Sequence, residues 1–222
     1  MRKVIISFTA TLVIVAVSNL FNSNVLAQEW HDSLKTARNA KYLSDKEKAI
    51  IYEINKVRTD PKRYAKLLKN ELKSYKGMHL IREGRDPFIT IEGPNGLKDC
   101  MSYLSKLKPM CVLHPDENLF KAAELHANDL SASGGTGHKG SDGSSTLDRI
   151  KKFAPDGYTA YNEGICIREK EVFYIVLKLL IDDGIPSKIN LKNMTSENYN
   201  KCGVSLKSHP EYDHVCVVIY AQ

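Results

Sequence analysis

Two late segments, about Lys201 to Leu206 and Val215 to Tyr220, carry apolar residues at both alternating positions. A strand with one wet face alternates apolar and polar residues, so strands that do not alternate belong at the centre of a sheet covered on both sides. Upstream, the apolar period is helical. Ser44 with Glu47 forms a capping box ahead of Ile50, Ile51, Ile54 and Val57. Asp60-Pro61 opens a second helix through Tyr64, Leu67, Leu68 and Leu72. A third spans Gly96 to Leu107, and Asp116 caps a fourth with a stripe of Leu119, Ala122, Ala123, His126 and Leu130 that ends at Gly134-Gly135. A short helix through Leu147, Ile150 and Phe153, a strand from Tyr161 to Ile167, and a helix from Val172 through Leu180 stopping at Asp183-Gly184 follow. Gly77 to Pro94 reads as irregular with one short strand over Phe88, Thr90 and Ile91, and Pro109 and Pro115 bracket a turn carrying Cys111 and His114. Without repeats or low-complexity tracts, this order predicts one α+β domain, with helices on both faces of a short, mainly antiparallel sheet.

The N-terminus sets the context. Arg2 and Lys3 precede an apolar run from Val4 to Phe21 and the small-residue end Val25-Leu26-Ala27, the order of a secretory signal peptide over residues 1–27. The alternative, an uncleaved anchor helix, fits less well because Ser7, Thr9, Thr11, Ser18 and Asn19 interrupt the run. Residues 28–44 are polar and aperiodic, a linker or surface arm, and the domain occupies 45–222. The chain is expected to be secreted, extracellular or periplasmic, with no stable membrane span once the leader is removed. Export makes Cys100, Cys111, Cys166, Cys202 and Cys216 disulfide candidates. Five is odd, so at least one has no partner within the chain, and the closeness of Cys100 and Cys111 makes them the first expected pair.

Charge narrows the partners. Removing Arg2 and Lys3 lowers the formal balance from +6 to +4, and the lysines between Lys46 and Lys76 alternate with Glu47, Glu53, Asp60 and Glu71. That is the solvated side of amphipathic helices and not a nucleic-acid groove. No G-x-S-x-G elbow, phosphate loop, dinucleotide fingerprint, H-E-x-x-H or C-x-x-C appears in the sequence. What remains is polar groups at element ends: His138 in the loop Thr136 to Ser145, Glu163 in the strand, and Asp182-Asp183 at a helix close. A histidine and carboxylates from separate elements can hold a divalent cation, orient a water, or satisfy one another. Asp182 also stands four residues after Lys178, the spacing of a surface ion pair, and the Gly/Ser/Asp cluster beside His138 is ordinary turn chemistry.

The order of motifs resembles the CAP superfamily, the cysteine-rich secretory, antigen 5 and pathogenesis-related group with SCP-like domains, closest to its bacterial secreted members. The resemblance runs from about Asp45 to Gln222. It rests on Asn55-Lys56-Val57-Arg58, on Leu119 with Ala122-Ala123, His126-Ala127 and Asp129, on Gly137-His138 with Ser141-Asp142-Gly143, and on Glu163-Gly164-Ile165, where the family has E-N-I. It implies an α-β-α sandwich whose cleft is lined by two histidines and two acids. His138 matches the first histidine, Glu163 the strand acid and Asp182 the helix acid, while Asn190 stands where the second histidine is expected. Asparagine offers no imidazole nitrogen to a transition metal. No cofactor is therefore expected; a divalent cation, held by His138 and Glu163 if at all, is disfavoured by Asn190.

The resemblance implies a secreted binding protein, not an enzyme, with a degenerate His/acid cleft (His138, Glu163, Asp182, Asn190) for an extracellular small-molecule, lipid, glycan or protein ligand. The alternative is a secreted hydrolase using His138 with Glu163 or Asp182, metal-assisted or not. A lipid role predicts an apolar groove near the helices.

Overall fold

The computed structural model describes residues 29–222, so the leader reading of residues 1–27 lies outside the described residues. Helix α1 (Asp45–Thr59) starts on the expected capping box: the Ser44 side chain accepts from Glu47 N, and the Glu47 carboxylate accepts from Ser44 N. Asp60 then caps α2 (Pro61–Leu68), with proline in the first turn. Next come the two-residue strands β1 (Tyr75–Lys76), β2 (His79–Leu80) and β3 (Phe88–Ile89), which form a small antiparallel sheet in the order β1-β2-β3. The expected strand ends at Ile89; Ile91 is outside it and 71% exposed. Two-residue strands are too short to write an alternation into sequence.

Helix α3 (Pro94–Lys106) follows, then β4 (His114–Pro115), α4 (Glu117–Ser133) and α5 (Thr146–Phe153). The expected turn around His114 is in part β4, paired in parallel with a later strand through His114↔Lys201 and Pro115↔Cys202. Strand β5 (Tyr161–Ile167), α6 (Val172–Ile181), the short α7 (Ile189–Met194), and the long hairpin β6 (Lys201–His209) and β7 (Asp213–Ala221) complete the chain. The main sheet runs β4-β6-β7-β5 and is antiparallel apart from β4 with β6.

The hairpin is central, as its two-sided apolar pattern requires. Val215, Val217, Ile219 and Ala221 of β7 join Leu119, Ala122, Ala123, Ala127 and Leu130 of α4 and Ile150 of α5 in one buried cluster. The intervening Cys216, Val218 and Tyr220 point to the other face and are equally buried. There Gly164 of β5 meets Leu179 of α6 and Tyr220. Helices thus cover both faces, an α-β-α sandwich. α4 presses so closely on β6 that a Cβ on Gly203 would lie 2.1 Å from the Leu119 carbonyl carbon.

Two buried polar side chains on α1 clamp the edges of this stack. Asn55 Nδ2 donates to Leu34 O (3.0 Å) and Leu113 O (3.1 Å), while its Oδ1 accepts from Leu113 N (2.7 Å). Three residues on, Arg58 donates to four carbonyls, those of Cys111, Met194, Ser196 and Tyr199. A buried guanidinium with no carboxylate among these partners is held chiefly by backbone oxygens. The segment that reads as a linker is anchored in the same way from Asp32 onward: besides the Asn55 bond, Leu34, Ala37 and Leu43 are buried.

The expected cysteine clip is absent. Cys100 and Cys111 are free thiols, Cys100 buried on α3 and Cys111 exposed in the loop after it. Cys111 Sγ accepts from Arg58 Nη2 at 3.6 Å, so it is turned to α1 and not to Cys100.

Replacing Asn55 by alanine strands the buried Leu113 N–H and the Leu34 carbonyl, while Leu113 O keeps its bond from the Thr36 hydroxyl. Urea denaturation should show a loss of about 3 kcal/mol; a loss under about 1 kcal/mol would show that the clamp is dispensable.

Candidate functional site

β5 is the edge strand of the main sheet, and its side chains alternate between the two helix layers. Glu163, with Ile165 and Ile167, faces the α4/α5 layer, where both isoleucines pack against the core cluster. Its carboxylate is buried and shared. Arg149 Nη2, from α5, donates to Oε2 at 2.9 Å and Oε1 at 3.2 Å, and His138 Nδ1 lies 2.9 Å from Oε1. An ionised carboxylate has no hydrogen to give, so His138 donates through Nδ1–H, and its ring, 59% exposed, turns Nε2 outward. The Arg149 guanidinium is equally buried and donates also to His138 O and Ser144 O, each at 3.0 Å, fixing both ends of the glycine-rich loop.

Burial opposes ionisation of Glu163. The His138 hydrogen bond, the Arg149 and His126 charges and the Arg149 hydrogen bond outweigh it and hold the carboxyl below its ordinary value. His126, wholly buried on α4, donates through Nε2 to Gly137 O (2.9 Å) and lies 3.9 Å from Glu163. Burial is the main cause holding its pKa down, with Arg149 adding to it, while Glu163, the Gly137 bond and Asp129 pull the other way. Ser141 donates to Asp129 through both its N–H and its hydroxyl. That engagement ties the loop to α4 and takes Ser141 out of consideration as a nucleophile.

Asp182 and Asn190 belong to the opposite layer. Asp182 closes α6 in the left-handed region at φ 48° and is buried. Its Oδ2 accepts from Asn190 N (2.9 Å) and its Oδ1 from Asn190 Nδ2 (2.7 Å). The spacing that suggested a Lys178–Asp182 ion pair is not used: Lys178 Nζ donates to Ile167 O. Asp183 instead caps the chain after β3, accepting from Ile91 N and Glu92 N. The four singled-out residues therefore form two couples, His138 with Glu163 and Asp182 with Asn190. Among the described residues no hydrogen bond or ion pair joins the couples, and no group of three or more His, Cys, Asp or Glu is placed to hold a metal ion.

Sequence reasoning missed a cavity. About 220 Å³ in volume, it lies between the small sheet and α6, with Leu80, Phe88, Leu177 and Ile181 among its apolar walls and Arg168 at its margin. A second, about 200 Å³, lies between α3 and α6–α7 and is lined by Tyr103, Leu180 and Leu191 among others. Neither is lined by His138 or Glu163. Arg168, just past β5, stands at φ 75°. That left-handed conformation is costly for a residue with a Cβ. The strain projects a guanidinium that stacks over Phe88 (5.5 Å) and Tyr212 (4.7 Å). Among the described residues no carboxylate lies in ion-pair reach of it, whereas Arg82 and Arg85 on the same cavity both pair with Glu169.

The profile of the Cysteine-rich secretory protein family, CAP, matches residues 51–220. The chain belongs to the CAP family. Solved structures similar to it include an outer surface protein from Borrelia burgdorferi (19% identity over 51% of this chain and 79% of that one, TM-score 0.43). Another is an extracellular protein containing an SCP domain from Bacillus anthracis (18% identity, 51% of this chain and 34% of that one, TM-score 0.43). A third is a cysteine-rich secretory protein from Staphylococcus aureus (15%, 64% and 42%, TM-score 0.36). The chain thus spans under half the length of the last two. No curated protein sequence matches it.

Within this CAP domain Gly164 and Asn190 sit against each other. A Cβ on Gly164 would lie 2.9 Å from Asn190 Oδ1. The amide of Asn190 lies against the bare backbone of Gly164, and Asp182 holds it there. Asn190 Oδ1 is buried and lacks a hydrogen-bond partner.

The depressed Glu163 pKa fixes an acid limb of stability. Its contribution is complete above the ordinary carboxyl value of 4.5 and is lost as pH falls through the lower folded value. Denaturation midpoints measured from pH 7 downward should drop across that window in the native CAP domain. Glu163→Gln should flatten this drop while lowering stability at pH 7; an unchanged acid limb in the variant would contradict the assignment.

Proposed function

We propose that this CAP domain is a secreted, non-catalytic binding protein that takes a small ligand with an apolar body and an anionic head in the cavity between β1–β3 and α6. The observation that carries the reading is Arg168: a strained arginine with no carboxylate partner among the described residues, stacked on Phe88 at the edge of an apolar hollow. Arginine presents a planar fork suited to carboxylate or phosphate. The volume, about 220 Å³, is below the usual range for drug-sized ligands and suits an acyl segment or a ring. Phe88, Ile89, Ile91 and Met78 are exposed around it and form an apolar approach.

The same reading assigns the His138 side a structural part. Arg149 already occupies both Glu163 oxygens, and a fixed guanidinium there repels a divalent cation. With Asn190 engaged by Asp182 in the other layer, these donors do not suit a metal. In support of export stand the leader-like N-terminus and the extracellular or surface character that the structural neighbours' names give those proteins.

One observation favours the hydrolase alternative. His138, oriented by a buried carboxylate with Nε2 outward, has the posture of a general base. Turnover of an ester or peptide panel that His138→Ala abolishes would establish it and displace the binding reading.

Calorimetric titration with dodecanoate should show saturable binding to the native chain and weaker binding, by roughly tenfold or more, to Arg168→Gln, reflecting one lost charged contact. Equal affinity of variant and native chain would sink the assignment of Arg168.

A further inference from the structure

Five cysteines are distributed over the domain, and one couple is placed unlike the rest. Cys166 of β5 and Cys216 of β7 are direct register partners. By contrast Cys202 faces Tyr220 across β6–β7, where Cys216 is opposite Leu206, four residues along β6. That offset is about 13 Å of strand. Cys100 is on α3 and Cys111 is turned to Arg58.

The ladder fixes the geometry of the couple. Arg168 N donates to His214 O at 2.8 Å, and Gln222 N donates to Ala160 O at 3.0 Å. Both are directly opposed residues in the register, so every second pair between them, including Cys166 with Cys216, is a hydrogen-bonded pair. Such pairs hold their Cα atoms about 5.5 Å apart, within the separation a disulfide spans. Direct opposition also puts both side chains on one face, the α1/α6 side that they share with Gly164 and Val218. Hydrogen-bonded pairs hold their Cβ atoms at the wide end of the cross-strand range, so these need to close by roughly 1.5 Å for the bond. β5 is the edge strand of the sheet and is held by β7 on one side only, so it can make that shift.

We propose that Cys166 and Cys216 are a disulfide couple that staples the edge strand β5 to the sheet centre when the chain folds in the presence of a disulfide donor. A thiolate of one cysteine attacks the donor, RSSR, releasing RS⁻, which takes up a proton. The second thiolate then attacks the mixed disulfide, forming the Cys166–Cys216 bond and releasing a second RSH. Two thiols are oxidised and one donor disulfide is reduced to two thiols. In the finished core, burial pushes the Cys166 thiol up to about 12 and the Cys216 thiol well above its ordinary value. Attack therefore belongs to the folding chain, before β5 closes. The staple lies between Glu163 and Arg168, so it braces the strand that carries the first and leads into the second. It does not depend on the identity of the ligand.

The test is to refold the full chain from denaturant with glutathione disulfide, alkylate it while denatured, and map the unreduced peptides. Three alkylated cysteines per chain and a peptide joining Cys166 to Cys216 are expected, with the same linked peptide and two alkylated cysteines in Cys111→Ser. Cys216→Val should abolish the linked peptide and leave four alkylated cysteines. Five alkylated cysteines in the native chain, or a bond mapped to any other couple such as Cys100 with Cys111, would overturn the proposal. Because the decisive map is made on the native chain, poor folding of a variant does not change the outcome.

Discussion

A carboxylate sealed behind a helix stays ionised only with a cation against it, and Arg149 supplies that cation to Glu163. The same guanidinium reaches His138 O and Ser144 O, so the glycine-rich loop takes its shape from the ion pair. The loop in turn delivers His138 to Glu163, and Gly137 O to His126. One buried charge pair thereby organises α4, α5, the loop and β5. Removing one partner is expected to cost about 3–5 kcal/mol, because the other is left buried and unmatched.

Glu163 is bonded to Arg149 and His138, and Asn190 to Asp182, so the four candidate cleft residues are held in two separate couples. A cation without a carboxylate partner among the described residues stands instead at the far end of the same strand. Within six residues β5 and its exit carry Glu163 toward one layer, Gly164 and Cys166 toward the other, and Arg168 at the cavity.

Much of this is legible in the chain. The two-sided apolar pattern of Val215 to Tyr220 announces a central strand, and the caps and proline positions announce α1, α2 and α4. Asn55 and Arg58 belong to a recognisable motif, but their work, gathering carbonyls from segments as distant as Tyr199, is a tertiary property with no local signal. The pairing of His138 with Glu163 fits a family reading. The separation of Asp182 and Asn190 from them follows from strand alternation at residues 163 and 164, which sequence shows only once the strand is known to be an edge. β1, β2 and α7 are too short to leave a periodic signal. The cavity escapes sequence reasoning because Leu80, Phe88 and Leu177 come from segments with no shared period, and Arg168's left-handed backbone carries no sequence mark in a residue other than glycine.

Where a ligand settles is the decisive question. Backbone amide chemical shifts followed while an anionic amphiphile is titrated into the isotope-labelled protein would locate it directly. Saturable changes centred on Leu80, Phe88, Arg168 and Leu177, with the loop around His138 unmoved, are predicted. Changes centred on Gly137, His138 and Glu163, with the α6 cavity silent, would contradict a ligand site at Arg168.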